Sequence, residues 1–504
     1  MPLKSLFRLK GIDQVMAEEL RTEGRLRRVL GPWHLTLLGV GAIVGAGIFA
    51  LVGTAAAGET PKILGAEVRL GAGPAIVISF ALTGLACAFT ALCYAELASL
   101  APISGSAYSY AYSTLGELIA WIIGWDLILE YAVGNVAVAV SWSGYFCSFM
   151  EGLGVHIPRY LACDWTNASA SAEILAQAPR VLGSPIVLNV PAVAIVVVLT
   201  LILVWGIRQS AWFNASMVAV KLLVLGFFVI VATCYVRPEN WSPFAPHGWQ
   251  GIQAGAAVVF FAFIGFDAVS TTAEECRNPQ RDLPIGILAS LGICTVIYIV
   301  VAGVLTGVVS WKQLDTAEPL SVAMKHVKLD WAAGIVDFGS VVAHTAVLLV
   351  FQLGQPRILL AMSRDGLLPG WFGKTHPRFK TPHVATMLTG LFVAVGSAVA
   401  SLQEMADLCN IGTLSAFVIV CVGVLVLRYR DPDRPRPFRT PCVPLVPILG
   451  IVACGFLMWG LPRTAWVRFV VWLAVGLAVY FSYGFFRSRL ARPAPADNTT
   501  GREM

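Results

Sequence analysis

The residues best placed to bind a small charged ligand are four glycines within one apolar stretch, Leu37–Val52. They are Gly39, Gly41, Gly45 and Gly47. Each glycine costs a helix roughly 0.5–1 kcal/mol relative to alanine, so the stretch is a poor helix and is weakest at Val44–Gly47. A break in a membrane helix exposes amides and half-helix ends, which bind a carboxylate or an ion. The pattern therefore predicts one wall of a substrate site in the middle of a membrane.

Two other interpretations compete for these glycines. Small residues let helices approach closely, so the stretch also suits a helix interface with no ligand. The spacing Gly39-x-Gly41-x-x-x-Gly45 resembles a loosened dinucleotide-binding loop. That motif needs a preceding strand and an acidic residue about 20 positions later, and its surroundings here are an apolar helix of membrane length.

Three ionisable residues stand inside long apolar stretches: Lys221, Glu130 and Asp267. A charge at the bilayer centre is costly and marks a functional site by default. Burial disfavours the charged form of a lysine, so Lys221 suits proton exchange, with a fixed structural lysine as the alternative. Glu130 and Asp267 are the acids expected nearest a substrate side chain, with helix–helix hydrogen bonding as the alternative. Glu96, His344 and Arg357 are further rare polar groups without an assigned role.

The composition is that of an integral membrane protein. The 504 residues are 57% hydrophobic and 13% charged, with a mean hydropathy of +0.75, whereas soluble domains carry about 25% charged residues. Twelve apolar stretches are long enough to span a bilayer. They are 34–57, 74–100, 117–148, 189–207, 210–236, 251–275, 284–308, 335–363, 383–400, 404–428, 444–461 and 466–487.

The basic residues predict the orientation of these spans. With the N-terminus inside, the inner segments hold 23 Lys and Arg and the outer segments hold 10. This bias places both termini in the cytoplasm. Residues 1–33 are predicted to form a basic amphipathic segment on the membrane surface, and residues 488–504 a disordered tail.

A second break is predicted in the sixth span, where Gly265 interrupts an aromatic run beside Asp267. The two breaks are five spans apart, and breaks at matching positions of two halves indicate a transporter built from inverted repeats. The predicted halves are 34–236 and 251–428, with two further helices in 444–487.

Six motifs resemble the cationic amino acid transporter family of the amino acid–polyamine–organocation superfamily. They are Gly39–Phe49 (GVGAIVGAGIF), Tyr94–Ser99 (YAELAS), Ser104–Tyr108 (SGSAY), Phe261–Ser270 (FAFIGFDAVS), Glu274–Ile285 (EECRNPQRDLPI) and Met362–Pro369 (MSRDGLLP). The resemblance implies an all-α membrane protein with the leucine-transporter fold, twelve transmembrane helices, a 5+5 inverted repeat and broken helices 1 and 6. Twelve spans resemble a bacterial member, which implies the inner membrane.

The same resemblance implies how a substrate is held. The substrate carboxylate is expected at the backbone of the first break, and the α-amino group at carbonyls near Phe261, with Ile264 lining the pocket. The first-break residues are Ile43, Val44, Gly45, Ala46 and Gly47. Related transporters place a lysine like Lys221 where sodium-dependent relatives bind sodium, and acids like Glu130 and Asp267 where a cationic side chain is received.

The predicted function is proton-coupled uptake of an amino acid, with arginine, lysine or ornithine favoured by the two acids. Small neutral amino acids such as alanine, and proton-independent exchange, remain alternatives. The expected partners are the substrate, protons and the lipid bilayer, with no nucleic acid; any accessory subunit is unknown. No clustered acid–base residues, metal ligands or nucleotide motif indicate an enzyme, a cofactor or an ATP-driven pump.

Overall fold

The computed structural model describes residues 8–11, 30–59, 69–101, 106–181, 183–206, 211–379 and 381–491, which are mostly helical. The α-helices are α1 Pro32–Ile43, α2 Val52–Ala57, α3 Ile76–Leu100, α4 Ser106–Thr114, α5 Glu117–Ile128, α6 Gly134–Gly152, α7 Trp165–Ser169, α8 Ala172–Gln177, α9 Val190–Trp205, α10 Ala211–Thr233, α11 Gly248–Val259, α12 Pro279–Val308, α13 Pro319–His326, α14 Asp330–Arg364, α15 His383–Val399, α16 Leu402–Arg430, α17 Leu445–Trp459, α18 Arg463–Val479 and α19 Phe485–Arg487. Two antiparallel hairpins, β1 Gly58–Glu59 with β2 Arg69–Leu70 and β3 Arg180–Val181 with β4 Ser184–Pro185, connect helices.

Among these residues, eight helical segments are long and apolar enough to cross a membrane. They are Gly73–Leu100, Glu117–Gly152, Ala215–Thr233, Gly248–Ala273, Pro279–Val308, Asp330–Arg364, Leu402–Arg430 and Arg463–Arg487. A ninth candidate is the bent pair Pro32–Ile43 and Gly47–Ala57, and three shorter apolar helices are α9, α15 and α17. Each apolar stretch of the sequence coincides with one of these segments. The long stretch 117–148 runs from α5 to α6 through a π-helical turn at Leu129–Val133.

Local residue types explain several helix ends. The side chains of Asn189 and Ser401 cap α9 and α16 by accepting hydrogen bonds from backbone amides two or three residues into the helix. Gly206 ends α9 at φ 79°, a left-handed conformation that glycine adopts without a Cβ clash. The Asn189 cap and Gly206 set the two ends of α9, and this short helix packs directly beside α15.

The first predicted break is present. Helix α1 ends at Ile43 because Val44 is extended (φ −74°, ψ 103°), and the chain resumes as a π-helix at Gly47–Leu51 before α2. The two halves meet at an angle of 46°. The interruption lies where the glycines make helix least favourable, and it is buried throughout.

The sixth stretch is also interrupted at its glycine. Helix α11 passes into a 3₁₀ turn at Phe260–Phe263, Ile264 is extended, and Gly265 has φ 114°. A side chain is rarely tolerated in that left-handed region, so the glycine fits this position. The chain resumes as a 3₁₀ helix at Asp267–Glu275.

The two breaks touch each other in the centre of the molecule. A Cβ atom built on Gly47 would lie 2.2 Å from the Cα of Ala262. A second link joins the ends of the same two elements, since Leu30 donates to the Glu275 carbonyl (3.0 Å) and accepts from the Arg277 amide (2.9 Å). The broken helices therefore form one unit, around which α3, α10, α12 and α14 pack.

One side of the molecule, here called the terminal face, carries residues 8–11, 106–116, 364–379 and 485–491. There Lys10 pairs with Asp365 (2.9 Å), and the Tyr108 hydroxyl donates to the same carboxylate (2.7 Å). The predicted tail 488–504 begins in ordered chain, because Ser488 donates to Glu117. Residues 1–7, 12–29 and 492–504, and Ser104 of one motif, lie outside the described residues. The opposite side, the distal face, carries 153–181, 183–188, 237–247 and 309–329.

Candidate functional site

The first break offers hydrogen-bond donors to a ligand. The amides of Gly45, Ala46 and Gly47 stand at the start of the second half-helix, where the first residues lack intrahelical acceptors. None of the three donates to a backbone carbonyl of the described chain, whereas Ile48 and Phe49 both donate to the Gly45 carbonyl (3.2 Å each). This arrangement suits an anion such as a carboxylate.

The second break offers acceptors. The last residues before it have no following helical turn to donate to their carbonyls. Asn410 on α16 satisfies part of this need by donating to the carbonyls of Ala257 (2.9 Å) and Val258 (3.4 Å). The turn Phe260–Phe263 packs against the first break at Gly47–Leu51, and carbonyls freed at such a helix end can accept hydrogen bonds from an ammonium group.

A small enclosed pocket lies between the two breaks. Its lining residues all carry apolar side chains or none, and its free volume is about 10 Å³. They are Ala42, Ile43, Gly45, Ala46, Gly47, Val138, Phe261, Ile264, Val347 and Phe351. The structure thus brings together six of the predicted substrate residues: Ile43, Gly45, Ala46, Gly47, Phe261 and Ile264. Val44 is buried beside them without lining the pocket.

Val138, Val347 and Phe351 line the pocket, although they were not predicted from the sequence. Val347 and Phe351 are four residues apart on α14 and share one helix face. Their residue types carry no signal, because an apolar residue in an apolar helix looks the same whether it faces lipid, core or ligand. The spacing of four residues could have indicated a shared face, but not which face.

Glu130 and Asp267 do not line this pocket. Glu130 lies in the π-helical turn of the third predicted span, and Asp267 begins the 3₁₀ helix after the second break. Both are buried near each other, and none of their carboxyl oxygens has a hydrogen-bond partner among the described residues. They lie next to the pocket because Asp267 follows the pocket residue Ile264 by three positions.

Lys221 is buried and bonds directly to the first broken helix. Its Nζ donates to the carbonyls of Gly41 (2.5 Å) and Val44 (3.0 Å). The apolar position of Lys221 in the fifth span predicts carbonyls of the first span and the hydroxyls of Ser340 and Thr345 in the eighth as its partners. The carbonyls are indeed its partners, whereas Thr345 donates to the Val341 carbonyl. Within the described chain Lys221 forms no ion pair, so its charge is balanced by carbonyl dipoles alone.

Two tyrosines complete the support of the same helix. Tyr298 on α12 donates to the Ile43 carbonyl (2.9 Å), and Tyr145 on α6 donates to the Phe49 carbonyl (2.5 Å). The carbonyls released by the break are therefore held by donors from three different helices. Any movement of the broken helix must exchange these bonds.

The remaining polar residues singled out in the sequence have structural partners. Glu96 accepts two hydrogen bonds from Arg428 (2.8 Å each) and one from the Thr440 amide near the terminal face. His344 contacts the Ser141 hydroxyl (2.8 Å) and the Ser340 carbonyl (2.6 Å). Arg357 is exposed.

A larger cavity of about 650 Å³ opens at the distal face. Charged pairs stand in its wall: Arg69 with Asp407 (2.8 Å) and Arg468 with Glu404 (2.8 Å). Thr54 and Ala254, from the distal halves of the two broken segments, also line it. The cavity therefore leads from the distal face toward the enclosed pocket.

Comparison with known proteins identifies the family. The amino acid permease family model matches residues 30–483, which include both breaks and every residue of the site. The chain belongs to the amino acid permease family. This finding confirms the resemblance drawn from the sequence motifs, and it indicates a multi-pass membrane transporter rather than an enzyme.

Individual relatives differ in the substrates that their names state. The branched-chain amino acid permease of Bacillus subtilis is 47% identical over 487 residues, covering 96% of this chain and 99% of that protein. The methylthioribose transporter of the same organism is 45% identical over 481 residues, covering 95% of this chain and 98% of that protein. A vacuolar cationic amino acid transporter of Arabidopsis thaliana is 38% identical over 437 residues, covering 86% of this chain and 68% of that protein. This permease thus resembles proteins named for aliphatic, sugar and cationic substrates.

Proposed function

We propose that this permease is a secondary active transporter that imports a neutral aliphatic amino acid, coupled to protons, by alternating access. The observation that carries the proposal is the enclosed apolar pocket between backbone donors and backbone acceptors. Its two polar ends match the carboxylate and ammonium groups that all amino acids share. Its apolar walls match an uncharged side chain, which agrees with the name of the branched-chain relative.

The proposed architecture is the leucine-transporter fold with twelve transmembrane helices. Residues 34–236 and 251–428 would be the inverted halves, and 444–487 would add two helices. The three shorter apolar helices would complete the count of twelve. The excess of Lys and Arg supports a cytoplasmic terminal face, and the two Bacillus subtilis relatives support a bacterial inner membrane.

In the proposed complex the substrate carboxylate accepts hydrogen bonds from the amides around Gly45 to Gly47. The α-amino group donates to carbonyls near Phe261. The side chain lies against Ile264 and Val347. Burying a valine or leucine side chain contributes roughly 1.5–3 kcal/mol, which corresponds to an affinity about 10- to 150-fold higher than that of glycine.

The free volume of about 10 Å³ requires the pocket to expand when a substrate enters. This requirement supports alternating access, in which the broken helices move relative to the helices around them. The distal cavity would then be the route of entry from outside.

Lys221 is the proposed proton-coupling residue. A protonated lysine donates to the carbonyls of Gly41 and Val44, and a deprotonated lysine binds them more weakly. Protonation and substrate binding would then favour the same position of the broken helix, as coupling requires.

A cationic substrate is the second candidate. Glu130 and Asp267 lie just beyond the pocket, and several relatives are named as cationic amino acid transporters. An arginine or lysine side chain that displaced Phe351 would reach these acids. Its binding would then depend on the carboxyl groups, whereas leucine binding would not.

A binding screen of the purified permease decides between these substrates. The panel contains leucine, isoleucine, valine, alanine, arginine, lysine and methylthioribose, each competing against labelled leucine. We expect the branched-chain amino acids to compete best and lysine to compete weakly. Tighter competition by arginine and lysine would replace the aliphatic proposal with the cationic one.

Proton coupling is tested separately in reconstituted vesicles. We expect an inward proton gradient to drive accumulation of leucine against its concentration gradient. Counterflow that proceeds equally with and without the pH gradient, and no accumulation, would indicate a proton-independent exchanger instead.

A further inference from the structure

Two buried amide side chains lie beside the enclosed pocket without protein partners. Asn135 on α6 and Gln355 on α14 are at most 1% exposed. Neither the nitrogen nor the oxygen of either side-chain amide has a hydrogen-bond partner among the described residues. Within the same ranges the hydroxyl of Tyr131, which is 1% exposed, also has none. Buried polar groups are usually paired, because leaving them unpaired costs free energy, so the packing of the helices alone does not account for these three side chains.

The two amides lie on the terminal side of the pocket. Asn135 precedes the pocket residue Val138 by three positions, and Gln355 follows the pocket residue Phe351 by four. Both spacings keep the two residues on one face of a helix. The segment α5–α6 runs away from the terminal face, whereas α14 runs toward it. Both amides are therefore one turn nearer the terminal face than the pocket, about 4.5–6 Å along the helix axis.

Tyr131 belongs to the same place. Its ring packs against the ring of the pocket residue Phe351, with the centroids 5.5 Å apart. A Cβ built on Gly354, the residue before Gln355, would lie 2.6 Å from the Tyr131 ring. The three unpaired side chains thus come from two helical segments that pack closely together and that also supply the wall of the pocket.

A contact near the terminal face closes the other side of this place. A Cβ built on Gly124 of α5 would lie 2.8 Å from the Sδ of Met362 and 3.0 Å from the Tyr108 ring. Met362 follows Gln355 by seven positions on α14, so it shares that face two turns farther on. The Tyr108 hydroxyl is held by Asp365 (2.7 Å). The unpaired side chains therefore lie between the broken helices and a closure formed by Met362 and Tyr108.

These side chains suit both charged ends of an amino acid. A side-chain amide donates to a carboxylate through its nitrogen and accepts from an ammonium group through its oxygen, and a phenol does both. A substrate that leaves the backbone groups of the two breaks loses their hydrogen bonds. An unpaired charge away from water is costly. Polar side chains one turn away replace the lost bonds at the first step toward the terminal face.

We propose that Asn135, Gln355 and Tyr131 form a polar transit site, through which the substrate leaves the pocket toward the terminal face. The site binds the α-amino and α-carboxylate groups and therefore does not select a side chain. It opens at the terminal face when Met362 and Tyr108 separate. The inference rests on the proposed transport function and adds to it the residues of the release step.

The test separates substrate binding from the rate of transport. Asn135→Leu and Gln355→Leu replace each amide with an apolar side chain of similar size. We expect both variants to bind labelled leucine within threefold of the unmodified protein, because neither residue lines the pocket. Counterflow of labelled leucine in reconstituted vesicles should slow about tenfold or more, as expected for one lost hydrogen bond to a charged group. The thermal unfolding temperature should not fall, since each change removes an unpaired polar group.

Gln352→Leu is the matched control. Gln352 is a buried amide on the same helix, but its side-chain nitrogen donates to the Thr200 hydroxyl on α9. The side chain therefore reaches another helix, and its replacement should leave the counterflow rate unchanged. Gln355→Asn keeps an amide at the transit site and should retain most of the rate that Gln355→Leu loses.

Three results would overturn the proposal. Counterflow at the unmodified rate in both leucine variants would mean that the amides bind water alone. A loss of leucine binding as large as the loss of rate would place them in the support of the pocket. A slowing by Gln355→Asn equal to that by Gln355→Leu would exclude a role for the amide group. If the leucine variants do not fold, Asn135→Ala and Gln355→Ala are measured with the same expectations.

The proposed function fails by a different result. If leucine does not bind to the unmodified permease, the aliphatic proposal is wrong. Counterflow in the variants is then measured with the amino acid of the panel that does bind. The transit site predicts the same slowing for that substrate, because the α-amino and α-carboxylate groups are common to all amino acids.

Discussion

Gly47 is the point at which the two broken helices press together, so it offers the sharpest test of the site. A Cβ at this position would lie 2.2 Å from the Cα, 2.4 Å from the Cβ and 2.6 Å from the amide nitrogen of Ala262. Two of these atoms belong to the backbone and cannot rotate away. The change Gly47→Ala therefore moves one break relative to the other.

The size of the effect follows from these distances. Ordinary contact begins at 3.4 Å, so the two backbones must separate by about 1 Å. Overpacking costs typically 1–3 kcal/mol, and a clash with backbone belongs at the upper end. The separation also moves the amides around Gly47 away from the carbonyls near Phe261. Losing one hydrogen bond to the charged carboxylate or ammonium group of the substrate costs roughly 1.5–3 kcal/mol, which weakens substrate binding about 10- to 150-fold.

The assay is equilibrium binding of labelled leucine to purified protein, with correct folding of each variant checked by size-exclusion chromatography. Gly226→Ala on α10 is the control, since no atom lies within 4 Å of a Cβ at that position. It should bind like the unmodified protein. If Gly47→Ala binds leucine within threefold of the unmodified protein, the proposed placement of the substrate between the two breaks is incorrect.

Three further predictions concern coupling, side-chain recognition and pH. Lys221→Met should abolish leucine accumulation driven by a proton gradient, while leucine binding survives. The control Lys325→Met, near the distal face, should leave accumulation unchanged. Undiminished accumulation by the Lys221 variant would remove that lysine from the mechanism. Ile264→Ala should weaken leucine binding about tenfold or more and alanine binding much less, since only the longer side chain loses buried contact; equal losses would contradict the proposed side-chain position. Burial raises the pKa of Glu318 from 4.5 to about 7. As the pH rises from about 4.5 to 7, Glu318 ionises in the unfolded chain but not in the folded protein, so the folded state loses stability. The thermal unfolding temperature should fall over that pH range in the unmodified protein, and in Glu318→Gln it should not.

The sequence alone located the two helix breaks, because the reason for each is local. Four glycines weaken the helix around Val44 whatever surrounds it, and Gly265 occupies a backbone conformation that other residues rarely adopt. The apolar stretches likewise predicted the helices, since an apolar run long enough to cross a bilayer indicates a transmembrane helix. Lys221 stood out because a charge is rare in such a run.

Only the tertiary structure decided what these groups contact. The sequence predicted carbonyls of the first span and hydroxyls of the eighth as partners of Lys221; the fold selects the carbonyls of Gly41 and Val44, whereas Thr345 donates to Val341. It marked Glu130 and Asp267 as acids near the substrate side chain, and the fold buries both of them outside the lining of the pocket. Their positions are more than 130 residues apart in the chain, so no local pattern could reveal that they lie near each other.

The apolar wall of the pocket depended on the fold most of all. Val138, Val347 and Phe351 come from two helices, α6 and α14, that carry apolar residues on more than one face. The packing of such a helix against its neighbours determines which face meets the pocket. The residue types alone do not indicate that face. The sequence therefore predicted the hydrogen-bonding groups at the two helix breaks. It did not predict the shape of the pocket that selects the substrate side chain.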